Sequence, residues 1–287
     1  MSRDPRYDIL FEPVQIGPVT ARNRFYQVPH CNGIGHQMPE AHAAMREIKA
    51  QGGWAVVSTE ECEIHPSGDV SPYVEARLWD DGDIPTLALM CEKVKAHGSL
   101  SAVELTHNGY TSSNLYSREV PLAPSHTPLK YGYPLQARAM TLRDIQNYRQ
   151  WHKAAALRAK RAGFDIIYVY AAHDLSLAMH FLQRRRNQRS DGYGGTLENR
   201  IRLLREVLQD TKDAVGDTCA VALRFATEEF LGEGGVQNAE AKEIVHHLAD
   251  LPDIWDVNVA AWYNDSLTSR FGAEGYQQPF TSWVKQI

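Results

Sequence analysis

Ten side chains with chemistry of their own stand where apolar runs of the chain give out. They are His30 and Cys31, Glu61, Glu104 and His107, Tyr170 and His173, Arg224, and Trp262 and Asp265. Thiol, imidazole, phenol, guanidinium and carboxylate in that mix suit an organic cofactor. A hard cation would want clustered carboxylates and zinc several His or Cys, so no metal site is expected. Tyr170 and His173, three residues apart, could join Asp265 in a carboxylate–imidazole–phenol relay, with Asp265 fixing the tautomer of His173. Arg224 would either sit in a structural ion pair or hold an anion and stabilise developing negative charge. Cys31 is a reactive thiol or a small buried hydrophobe, and Trp262 a ligand wall or a core ring.

The stretch Asp165–His173 (DIIYVYAAH) indicates how such groups are positioned. Its β-branched run follows Gly163 and reads as a strand buried on both faces, as in a parallel sheet. Loops that leave strand C-termini in parallel α/β proteins line the open face of the sheet, where binding and catalytic groups gather. The same pattern recurs along the chain. Strands are expected at 24–29, 54–59, 100–105, 166–169, 219–225 and 254–259. Helices are expected at 40–50, 84–97, 141–162, 197–215 and 238–251, and a further one begins at Thr281. Thr141 with Asp144 three residues on is an acidic variant of a capping box, and Gly163 stops that helix. Residues 1–22 form a leading arm, and the Pro-, Ser- and Tyr-rich stretch 108–140 is expected to be a functional cover loop.

Six strand–helix units with polar groups gathered at strand ends predict a TIM (β/α)₈ barrel. The competitor is a doubly wound sheet, which should carry a Gly-rich turn after its first strand. The segment HCNGIGHQM after Pro29 has no GxGxxG. Closure needs eight units, so the expectation is one barrel domain over residues 1–287 that lacks its last two βα units. Such a chain is a fragment of a longer product or completes itself with another chain.

With 287 residues, 43% hydrophobic and 23% charged, the chain is long enough for one large α/β domain or two small ones. A net charge of −5 without blocks of like charge argues against nucleic-acid or membrane-surface roles. No apolar run is long enough to span a bilayer, and the start MSRDPRYDILFEP lacks a signal-peptide pattern. The four cysteines are far apart without CxxC spacing, so no zinc or iron–sulfur site is expected in these residues and a cytoplasmic location is.

Four segments carry a resemblance: DPRYDILFEPVQIGPVTARNRFYQVPHC, ELTHNG, DIIYVYAAH, and RSDGYGGTLENR at 189–200. They resemble the old yellow enzyme family of FMN oxidoreductases, and more narrowly its amine dehydrogenase branch (trimethylamine, dimethylamine and histamine dehydrogenases). The resemblance implies FMN held through a thioether from Cys31, the cysteine of VPHC, with His30 beside it. It implies Glu104 and Arg224 against the flavin, and Tyr170, His173 and Asp265 as the catalytic relay. Trp262 would be one wall of an aromatic bowl for a small-molecule amine, a cation–π arrangement. Glu61 stands where the trimethylamine enzyme has another bowl aromatic, and should favour a cation that donates hydrogen bonds. His107, here also assigned to the substrate side, looks more like the ordinary family members than like the trimethylamine enzyme. A homodimer is implied, as is electron exit through a 4Fe–4S centre in a C-terminal part absent from these residues. Two alternatives stand beside the amine reading: an NAD(P)H:flavin oxidoreductase reducing an activated alkene, and a non-catalytic truncated remnant.

Overall fold

The computed structural model describes residues 4–70, 75–129 and 135–287, without the side chains of 266–270. Six parallel strands run in sequence order across one curled sheet. They are β1 (Tyr26–Gln27), β2 (Val56–Glu63), β3 (Leu100–Thr106), β4 (Ile166–Ala171), β5 (Ala220–Glu228) and β6 (Ile254–Val259). Between them run α1 (Pro39–Gln51), α2 (Ile84–Lys95), α3 (Leu142–Ala162), the short α4 (Leu177–Leu182), α5 (Leu197–Val215) and α6 (Asn238–Leu248). α7 (Trp262–Phe271) follows β6 directly. This is six of the eight units of a TIM barrel; among the described residues β1 and β6 do not pair with each other.

Alternation along the strands sorts the core into two layers. Ile167, Val169, Val221, Leu223 and Phe225 point outward under the helices and are essentially inaccessible. Each such burial contributes about 1.5–3 kcal/mol. Ala102, Ile166, Tyr168, Ala220 and Ala222 point inward, against an antiparallel hairpin of Val14–Ile16 and Val19–Ala21. The leading arm is thus a structured plug, with a 3₁₀ turn at Pro5–Phe11 before it.

Local signals account for the ends of α3. The Thr141 hydroxyl accepts from the Asp144 N–H while the Asp144 carboxylate accepts from the Thr141 N–H. Gly163 closes the helix at φ +100°, a left-handed conformation that glycine adopts without penalty. Elsewhere the strands outrun their apolar stretches. β2 reaches Glu63, β4 Ala171 and β5 Glu228, so Glu61 and Tyr170 lie inside strands rather than after them, and Arg224 lies inside its strand as expected. The first strand is shorter than expected, two residues instead of six. The expected cover loop is partly ordered as a small sheet of Leu122–Ala123, Thr127–Pro128 and Gln136–Ala139; its residues 130–134 lie outside the described residues. Trp262 and Asp265, expected just after the sixth strand, occupy the first turn of α7.

Candidate active site at the C-terminal mouth of the sheet

Tyr170, near the end of β4, points into the mouth of the sheet, and its hydroxyl lies 2.7 Å from Nδ1 of His173. The chain turns back for that contact because His173 and Asp174 both take left-handed backbone conformations, φ +60° and +55°. Such strain in non-glycine residues costs on the order of 1–3 kcal/mol and gathers at functional sites. The turn is pinned from the start of α7: the His173 carbonyl accepts from the Trp262 N–H at 2.9 Å, and the rings of His173 and Trp262 meet edge to face at 6.5 Å. Burial holds His173 well below the usual imidazole range, reinforced by Arg224, so it is neutral near pH 7. Burial likewise pushes the Tyr170 phenol well up, with Glu61 the next cause.

Register builds the charged floor. Tyr170 is level with Arg224, and Arg224 with Asp256; on the other side Glu61 is level with Glu104. Arg224 donates from Nη1 to Glu104 at 3.1 Å and to the Pro29 carbonyl at 3.3 Å. It pairs with Asp256 at 3.4 Å without hydrogen-bond geometry, which leaves its buried Nε unsatisfied. Burial pushes Glu104 up to about 8 despite the pull of Arg224. Burial also raises Glu61, which the Asn108 amide, donating at 2.9 Å, and the Tyr170 hydroxyl act to lower.

Cys31 is half-buried beside this floor, its sulfur accepting from the Glu61 N–H at 3.4 Å. Burial pushes its thiol well up, with Glu75 and then Glu61 adding to the effect. The loop carrying Cys31 is fixed by Glu60, whose carboxylate accepts N–H bonds from Asn32, Gly33 and Gly35 at 3.0, 2.9 and 2.6 Å. A Cβ at residue 35 would stand 2.3 Å from that carboxylate, so glycine is required there.

The tertiary structure therefore gathers Cys31, Glu61, Glu104, Tyr170, His173 and Arg224 at one mouth. Trp262 borders it with half its surface exposed, and Asp265 is half-buried on the same first turn of α7. Burial raises the Asp265 carboxyl, opposed by Arg224, and its first-turn position follows from Ala261 accepting its N–H at 3.0 Å. The His30 side chain is exposed next to Cys31, while its backbone bonds to Thr59. His107 is not turned to this cluster. Its ring packs against Tyr148 and Trp151 of α3, and its nitrogens are taken by the Gly109 N–H and the Ser67 hydroxyl at 3.1 and 2.9 Å. Its neighbour Asn108 reaches Glu61 instead. Asn108, Glu60 and Asp256 were not singled out from sequence. Asp256 had a signal: a lone acid in the run IWDVNV, which a buried parallel strand tolerates only with a cation opposite.

An arginine, a buried acid and a tyrosine–histidine pair thus meet at the C-terminal mouth of a TIM-barrel sheet. The sequence profile of the NADH:flavin oxidoreductase / NADH oxidase family matches residues 9–287, and the chain belongs to that family. It is 38% identical over 297 residues to dimethylamine dehydrogenase of Hyphomicrobium sp. (strain x), a match covering all of this chain and 40% of that protein. Among solved structures it is similar to 6-hydroxypseudooxynicotine amine oxidase from Pseudomonas geniculata N1 (51% identity, TM-score 0.95, 100% of this chain and 43% of that one). It is also similar to histamine dehydrogenase from Rhizobium sp. 4-9 (49%, TM-score 0.94, 98% and 41%). The chain thus spans about two fifths of the length of these relatives. Among the described residues no helix is long and apolar enough to cross a membrane, and no group of three or more His, Cys, Asp or Glu could hold a metal ion.

Proposed function

We propose that this chain forms the flavin- and substrate-facing wall of an FMN-dependent amine dehydrogenase. The observation that carries the reading is the Tyr170–His173 hydrogen bond set beside the buried carboxyl of Glu61 in one mouth. The residues fit FMN: Arg224 offers a buried cation with an unsatisfied Nε, and the Cys31 thiol lies within the same cluster. FMN, when bound, supplies a two-electron acceptor for a hydride equivalent from the carbon next to the amine nitrogen.

The chain's own residues do the rest. Glu61 and the Trp262 ring hold the cationic amine, the first by charge and hydrogen bonding, the second by cation–π attraction. The nitrogen must lose a proton before its lone pair can form the imine. The Tyr170–His173 pair gives that proton a place, with Asp265 the carboxylate that orients the imidazole. The imine then hydrolyses to an aldehyde and a smaller amine. Arg224 presents a permanent positive charge that favours an electron-rich neighbour, and Glu104 fixes it from one side. Cys31 is the residue for a thioether to the flavin, and His30 flanks it. Electron exit through a 4Fe–4S centre is assigned to the part of the relatives' length that this chain does not span, and the whole enzyme would form a homodimer.

Mixing the full-length flavoprotein anaerobically with small amines tests this. Bleaching of the oxidised flavin spectrum by an amine is expected. Bleaching by NADPH but by no amine would replace this reading with that of an NAD(P)H-driven reductase.

A further inference from the structure

Glu75 immediately precedes the two-residue strand Ala76–Arg77, which pairs in parallel with Cys62 and Glu63 of β2. That register brings Glu75 alongside Glu61, and Glu61 in turn is level with Glu104 on β3. Two carboxyl groups therefore stand on neighbouring strands, at the roughly 4.8 Å spacing of a sheet, and the third directly before the next strand over. Glu104 has Arg224, and Glu61 has the Asn108 amide. Glu75 is 8% exposed, and its Oε2 is buried with no hydrogen-bond partner. Burial, then the neighbouring acids Glu61 and Glu60, hold its carboxyl well up, and its one favourable neighbour among these is the Cys31 thiol, which hydrogen-bonds to it and leaves Oε2 unmatched. The buried cation in range, Arg46, acts first on Glu60, and it donates to the His30 carbonyl at 2.6 Å and toward His42 at 3.4 Å.

A buried carboxylate oxygen with no donor is costly, and a fold keeps one where something else completes it. We infer that Glu75 is the second carboxylate of a seat shared with Glu61, and that this seat takes one ammonium group with at least two N–H donors. A primary or secondary ammonium satisfies both acids at once. A tertiary ammonium has one N–H and leaves one acid unmatched; a quaternary one leaves both. Glu61 alone would accept a tertiary amine, so Glu75 is the residue that rejects it. This deepens the amine-oxidising reading above and rests on it.

Two cations of nearly equal size and charge separate donor matching from charge: tert-butylammonium, with three N–H groups, and tetramethylammonium, with none. Neither can be oxidised to an imine. Their dissociation constants for the full-length flavoprotein would be read from perturbation of the flavin spectrum. Wild type should bind tert-butylammonium at least about tenfold more tightly. Glu75→Gln, which keeps an acceptor but loses the charge-assisted bond, should reduce that preference severalfold, while the loss of charge itself weakens both cations alike. An equal preference for the two cations in wild type overturns the proposal without any variant, as does failure of tert-butylammonium to bind. A preference unchanged in Glu75→Gln overturns it too. Selective binding that depends on Glu75, together with no bleaching by any primary amine, would sink the dehydrogenase reading and leave the seat standing.

Discussion

Tyr170 and His173 are joined by a 2.7 Å hydrogen bond between a phenol on a strand and an imidazole whose own backbone is left-handed at φ +60°. The bond spans three residues of sequence, yet local geometry alone would not make it. The turn holds because Trp262, nearly ninety residues later, donates its N–H to the His173 carbonyl. Removing the hydroxyl tests what the pair does. Tyr170→Phe keeps the ring and its packing, and should slow amine-driven flavin reduction on the order of 10²-fold with little change in KM. Stopped-flow reduction rates would measure it, and an unchanged rate would remove Tyr170 from the chemistry.

Cys31 should carry the flavin. Acid precipitation of the full-length wild type is expected to give a yellow pellet, and Cys31→Ala a colourless pellet under a yellow supernatant. Colour in the wild-type supernatant alone would mean a flavin held without a bond.

Glu61 should set the preference among amines. Glu61→Gln removes the charge while preserving shape and one acceptor, so kcat/KM for primary and secondary amines should fall at least about tenfold, the worth of a charge-assisted hydrogen bond. A fully alkylated amine should lose less. An unchanged order of preference would show that Glu61 does not contact the substrate.

Arg200, in the segment LENR, is buried and donates to the Leu182 carbonyl and to Glu240. It ties α5 to α6 and to the end of α4, away from the mouth. Arg200→Ala leaves the Leu182 carbonyl without its donor and Glu240 with only the exposed Arg184, and should cost about 1–3 kcal/mol of stability. Urea unfolding of the full-length protein would read this as a lower midpoint, while Glu240→Gln, which retains an acceptor, should cost less.

Three buried histidines make the fold sensitive to acid. Burial lowers His42 and His107 to about 3 and His152 to about 4 from an ordinary 6.5. The unfolded chain binds these protons more readily than the folded one, so their contribution is complete above pH 6.5 and is lost as pH falls toward 4 for His152 and toward 3 for His42 and His107. Each accounts for up to about 1.4 kcal/mol per pH unit in that window. Glu104, raised by burial to about 8, has the opposite slope, its contribution being complete below about 4.5 and lost as pH rises toward 8. The check is therefore differential: the pH slope of the unfolding free energy between 6.5 and 5 should be shallower in His107→Gln than in wild type. Parallel slopes would contradict it.

Periodicity and local chemistry were enough to read the alternation of six strands and their helices. The Thr141–Asp144 cap, the Gly163 stop and the placing of functional groups near strand C-termini followed from interactions within a few residues. Those signals need no partner from elsewhere in the chain. Which way each side chain faces was decided by the sheet. A register shift between Ser58 and Glu61 turns Glu60 to the Cys31 loop and Glu61 to the mouth. One residue of parity puts His107 under α3 and Asn108 on Glu61. The pairing of Arg224 with Glu104 and Asp256, and the crowding of Glu75 against Glu61, depend on segments 14 to 120 residues apart lying side by side. Sequence carries the types and local spacing of these groups, but their electrostatics arise only when the sheet closes around them and removes the water between them.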